Sequence, residues 1–170
     1  MREIMTLRGA FALIVAGVVV AFAALDSASG TSALEASPFE KLTGRWVGEG
    51  RLGVRENATE NVKCRVTYVL VEGQDQLKQS IRCASAGGNI EVQSVVSHAA
   101  GTLSGSWTEH VHNMTGEVSG SVTPRGFHVA VKGDGLNANM DIVVMGTKQI
   151  IEIQFIDSKL IGLTLVLEKG

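Results

Sequence analysis

The sequence predicts an all-β fold, an antiparallel up-and-down meander of eight to ten strands closed into a barrel and preceded by a short helical turn. Three observations lead there. After Thr43 helical periodicity disappears, and short β-rich runs alternate with Gly, Asn and Asp. The connections between runs, such as Ala99-Ala100-Gly101, Pro124-Arg125-Gly126 and Gly146-Thr147, are too short for a crossover helix, so neighbouring strands must be antiparallel. Finally, the only two cysteines, Cys64 and Cys83, lie symmetrically about a turn. A two-sheet sandwich is the alternative, but closure removes exposed edges most completely.

Taken in order, residues 1–30 read as a secretory signal peptide. Arg2 and Arg8 precede an uncharged stretch from Gly9 to Leu25, and small residues follow at Ala23-Ala24 and Ser27-Ala28-Ser29. An uncleaved anchor is the other reading, since a stretch of this length reaches the lower limit for a spanning helix. Either sends the remainder out of the cytoplasm, to the periplasm or beyond. Residues 31–37 form a linker, and 38–170 a single domain large enough to bury a core. In Ser37-Pro38-Phe39-Glu40-Lys41-Leu42 the serine is placed to cap one helical turn.

Strands are expected at 44–54, 61–72, 75–84, 89–98, 101–112, 115–123, 126–133, 136–145, 148–156 and 159–168. Folding the second and third at Gly73-Gln74 sets Cys64 opposite Cys83, Val66 opposite Ile81 and Leu70 opposite Leu77. Lys63, Arg65, Thr67, Lys78, Ser80 and Arg82 then share the other face. A four-residue loop, Glu72 to Asp75, puts the cysteines at the closer, non-hydrogen-bonded kind of pair. Outside the cytoplasm such a pair oxidises. Further on, Phe127, Val129 and Val131 share one parity, as do Ile151, Ile153 and Phe155. The last strand is apolar on nearly both parities and is expected to be buried on both faces.

The chain carries 15 Lys plus Arg against 17 Asp plus Glu, with no basic run, which argues against a nucleic-acid partner. Charged outward faces and few aromatics argue against a membrane-spanning barrel. Contact with a membrane is expected only through the N-terminal segment, if it stays uncleaved.

Candidate chemistry is sparse. His110 and His112, two apart on an expected strand, would offer two imidazoles to one metal, with Glu117 nearby across the hairpin. The plainer reading is a solvated His-x-His with Trp107 and Val111 on the buried parity. His128 as an axial haem ligand requires it to face inward, against the parity of Phe127. No Gly-x-Ser-x-Gly elbow or phosphate loop occurs, and Glu109, Glu117, Asp134 and Asp141 read as scattered surface carboxylates. No catalytic residue and no cofactor is therefore assigned, and an enzyme is not expected. Glycines and serines crowd the middle strands, Gly105, Ser106, Gly116, Ser119, Gly120, Ser121 and Gly126 among them. They mark either sharp strand coiling or interior volume for a ligand. Tyr68, Trp107, Phe127 and Phe155 are the candidate ligand-lining aromatics. Asn57-Ala58-Thr59 and Asn113-Met114-Thr115 match the N-glycosylation sequon.

Gly44-Arg45-Trp46, after the helical turn, resembles the Gly-x-Trp signature of lipocalins and their calycin relatives. That resemblance implies a calycin-like barrel with Trp46 plugging one end and Lys169 or an arginine over its indole. The Thr-Asp-Tyr motif of lipocalins is absent. Gly44 to Gly50, Cys64 to Tyr68, Gln79 to Ser85 and Ser104 to Glu109, in this order, are similar to small exported proteins of Gram-negative bacteria with no assigned activity. The two histidines stand outside that pattern. The expectation is a lipocalin-like barrel for a small apolar or amphipathic molecule. The alternatives are a structural or interaction protein of the cell envelope and, distantly, a metal or haem protein.

Overall fold

The structure is a computed structural model describing residues 36–55, 58–71 and 75–170. The expected signal segment, most of the linker, the turn tip Gly73-Gln74 and Asn57 lie outside the described residues. Among the described residues a 3-10 turn, Glu40–Leu42, leads into ten strands. These are β1 (Gly44–Val54), β2 (Ala58–Leu70), β3 (Gln76–Ser85), β4 (Gly88–Ala99), β5 (Thr102–Glu109), β6 (Met114–Thr123), β7 (Gly126–Gly133), β8 (Leu136–Met145), β9 (Lys148–Ile156) and β10 (Leu160–Lys169). Each pairs antiparallel with its sequence neighbours, and β1 pairs with β10, so the sheet is a closed meander barrel and not a sandwich.

The stapled hairpin has the expected register. Cys64 pairs with Cys83, Val66 with Ile81 and Leu70 with Leu77. Val71 N–H donates to the Gln76 carbonyl at 2.9 Å, so the pairing runs one step beyond Leu70 and Leu77. The cysteine Cα atoms are 4.2 Å apart, the spacing of a non-hydrogen-bonded pair, and the two are joined as a disulfide.

Alternation sorts the wall. Val62, Cys64, Val66 and Tyr68 are buried, while Lys63, Arg65 and Thr67 between them are exposed. The inward residues of all ten strands form the core around Trp46, Trp107, Phe127 and Leu167.

Three expectations are corrected. Phe39, not Ser37, occupies the N-cap position of the short turn; the Ser37 hydroxyl instead donates to Asp75, in the loop after β2. The fifth strand stops at Glu109, before either histidine, because the Glu109 carboxylate binds the turn that follows and Asn113 takes φ +55°. The last strand is not buried on both faces. Ile161 is 54% and Val166 41% exposed. Here β10 carries a bulge: Gly53 pairs with Gly162 but Val54 with Leu160, so Ile161 is an extra residue. The insertion reverses parity, leaving Leu160 on the cavity side and Ile161 outside.

Candidate functional site: an interior cavity closed at one end

The interior holds a cavity of about 280 Å³. Its closed end is built by the segment before β1. Phe39 and Leu42 are each 2% exposed, and Phe39 stacks on Phe127 with ring centroids 5.7 Å apart. Trp46 is fully buried; its indole N–H donates to the Leu42 carbonyl at 2.6 Å, and Lys169 Nζ lies 5.4 Å from the ring centroid. Gly44, at φ +119°, lets the chain turn from the plug into β1 where a side chain would press on Lys169.

Hydrogen bonds complete this end. Gln149, also fully buried, donates to the Tyr68 hydroxyl at 3.0 Å. Burial pushes the Tyr68 phenol up to about 12, against a smaller lowering by the Gln149 hydrogen bond. His98 accepts the Gly101 N–H on Nε2 and bonds Asp75 through Nδ1, which orients Nδ1–H toward the carboxylate.

The opposite end is the mouth. There the lining residues Met114, Leu136 and Leu160 are half-buried and Ile90 is 39% exposed. Beside them sits Glu109, whose side chain is only 3% exposed. One carboxylate oxygen accepts the N–H groups of Glu91 and Val111, each at 2.9 Å. The other accepts the His112 N–H at 2.6 Å and lies 2.9 Å from His112 Nδ1. Burial raises the carboxyl pKa, but these bonds together outweigh it and hold the group at about 2. Glu109 is therefore not a surface carboxylate but an ionised group built into the rim.

Between the two ends runs a row of register partners: Tyr68, Gln79, Ser94, Trp107, Gly116 and Gly133, on β2 through β7. The Ser94 hydroxyl donates to Gln79 Oε1 at 3.1 Å. Trp107 lies over the two glycines. A Cβ on Gly116 would sit 2.6 Å from its Nε1, and one on Gly133 2.7 Å from its Cζ2. The same Gly116 Cβ would be 2.0 Å from the Lys132 carbonyl oxygen, with similar clashes at Gly105 and Gly120. The mid-barrel glycines thus serve close strand approach. At Gly116 and Gly133 the space is taken by an indole, while Ser106, Ser119 and Ser121 point outward. The rest of the cavity wall is almost wholly apolar.

Tyr68, Trp107, Phe127 and Phe155 all line this cavity. The histidine candidates do not. His110 and His112 fall in an exposed turn and not on one strand face, and Glu117 pairs with Ser106 and Lys132 instead of facing His110. Among the described residues no three His, Cys, Asp or Glu side chains group to hold a metal. His128 points outward onto Asp141 at 2.7 Å, so it presents no axial ligand to the interior. Asn113 is exposed in the turn after β5.

Gln79, Ser94 and Glu109 are the polar lining residues that the sequence reading passed over. Parity was the available signal: Gln79 lies between Leu77 and Ile81 in phase, Ser94 between Val92 and Val96, and Glu109 follows Trp107.

No protein-family model and no curated protein matches the chain. Solved structures do. Rv2717c from M. tuberculosis is 14% identical with a TM-score of 0.66, covering 79% of this chain and 98% of that one. The S-type phycobiliprotein lyase CPES from Guillardia theta is 13% identical with a TM-score of 0.56, covering 78% and 90%. At such identities the likeness establishes the calycin-like barrel fold and nothing finer.

Proposed function

We propose that this protein is an exported, non-enzymatic barrel that binds a small apolar or amphipathic molecule in its interior. The observation that carries the reading is the cavity itself, closed at one end and lined by aliphatic side chains with a few convergent polar groups. A barrel serving only as a scaffold would gain stability by filling that space. Tyr68, Trp107, Phe127 and Phe155 would form the aromatic part of the ligand surface. The activity in the name of the phycobiliprotein lyase is not carried over, since fold alone is shared. Export is supported by the signal-like N-terminus and the disulfide, and among the described residues no helix is long and apolar enough to cross a membrane. The likeness to exported Gram-negative proteins of unassigned activity agrees with it.

Native mass spectrometry of protein purified from its own host should show a retained lipid-sized mass. A ligand-free protein that also refuses a neutral apolar dye would sink the reading. A second reading, an interaction protein of the cell envelope, draws on exposed Val47, Ile161 and Val166 on β1 and β10. Light scattering that finds a strict monomer at all concentrations would count against it.

A further inference from the structure

The cavity wall is chemically lopsided, and the imbalance bears on which ligand enters. Among the described residues no Lys, Arg or His side chain lines it. Among the described residues the one charged lining group is the Glu109 carboxylate at the mouth, and every one of its close contacts is a protein donor or the His112 ring. A ligand carboxylate or phosphate would therefore lose its hydration, find no cation, and pass a fixed negative charge on the way in. Burial of an unpaired anion is among the costliest events in such a site. An ammonium head gains little hydrogen bonding either, since Glu109 is already fully engaged.

One polar pair on the wall has capacity left. Ser94 donates its only proton to Gln79 Oε1, which leaves the Ser94 oxygen as an acceptor. Among the described residues Gln79 Nε2 has no acceptor, and Tyr68 is already committed to Gln149. In the same row Trp107 Nε1–H is buried without a partner. This is a neutral patch, donor and acceptor side by side, in a chamber that is otherwise mostly apolar.

From this wall, and resting on the ligand-binding reading above, we infer that the ligand is an uncharged amphiphile: an aliphatic body with one neutral hydroxyl, carbonyl or amide head that binds Gln79 and Ser94. The row lies deeper than Glu109, two residues further along β5, so the head enters first and the apolar body fills the space toward the mouth.

The test uses the exported form, delipidated, with the neutral dye N-phenyl-1-naphthylamine bound and displaced by decan-1-ol, decanoate or decylammonium. Decanol should displace the dye at a concentration about tenfold or more below decanoate, the margin of one good hydrogen bond against an unpaired anion. Gln79→Leu should weaken displacement by decanol about tenfold relative to that variant's own dye affinity, and decanol displacement unchanged in this variant would overturn the assignment of the head to Gln79. Glu109→Gln should let decanoate approach decanol. If Glu109→Gln fails to fold, the wild-type comparison and Gln79→Leu still decide. Decanoate or decylammonium displacing as well as decanol overturns the inference and leaves the cavity reading standing. A protein that takes up neither dye nor decanol overturns both.

Discussion

The two ends of the barrel use the same alternating wall to opposite purposes. At the closed end, Phe39, Leu42 and Trp46 are driven into the bore by apolar burial, and the polar atoms they bring meet neutral partners: Leu42 O for the indole, Gln149 for Tyr68. At the mouth the lining is half-exposed, and the dominant polar group is an ionised carboxylate tied to a turn. Deep in the seal the polar pairs are uncharged, and its charged groups, Lys169 and Asp75, sit where water still reaches them. The rim tolerates a buried charge because four donor contacts replace its hydration, as strongly ionised acceptors require.

The largest break in that contrast should come from Trp46→Ala, which removes a fully buried side chain and costs about 3–5 kcal/mol in denaturant unfolding. Leu136→Ala at the half-exposed mouth should cost about 1 kcal/mol. Equal losses would deny that only one end is packed shut.

Replacing Cys64 and Cys83 together by Ala should cost about 3 kcal/mol, since the bridge closes a loop with a separation of 19 residues. The loss appears as a lower Tm without change in the barrel's circular dichroism. A Tm unmoved by reduction would remove the staple from the scaffold.

Glu109→Gln should destabilise by about 2 kcal/mol, because an amide cannot accept at both former oxygens and places its own N–H against backbone donors. The native protein supplies the matching pH test. Glu109 is held at about 2 when folded and near 4.5 otherwise, so its contribution is complete above pH 4.5 and is lost as pH falls toward 2. The closed end gives the opposite limb. Tyr68, the only tyrosine, is raised from 10.0 to about 12, so its contribution holds below pH 10 and drains away as pH climbs to 12. Ultraviolet difference spectra should show only about a tenth of Tyr68 ionised at pH 11 in the folded protein, and an ordinary titration would mean Tyr68 is not sealed.

The smallest effect belongs to the β4–β5 turn at the closed end. Ala100 sits at φ 48° beside Gly101 at φ 80°, a pair of left-handed positions that suits Asn-Gly. Ala100→Asn should raise stability by about 0.5–1 kcal/mol, read as a higher midpoint in urea. No gain would mean the turn is held by the strands alone.

Much of the scaffold was legible along the chain. The bounds of β1, β7, β8 and β9 follow from turn residues and period-two alternation, both local properties. The fifth strand ran too long on paper because Thr108 to His112 alternates plausibly. What stops it is a carboxylate folding back on its own turn, an interaction alternation cannot register. The site was legible in its aromatics but not in its polar groups. Gln79, Ser94 and Glu109 are hydrophilic residues at core-facing parity, and composition alone sends such residues to the surface.

By itself the sequence determined the β content, the meander, the disulfide pair and the register of its hairpin, because each rests on neighbours a few residues apart and on the strict alternation of side chains. Only the tertiary structure decided that β1 meets β10, that the bulge at Ile161 turns one apolar residue outward, and that Gln79, Ser94 and Trp107 line up across three strands. Those outcomes depend on how far each strand slides past the next when the sheet closes on itself. That slide is a property of the whole ring, set jointly by ten strands and readable in none of them.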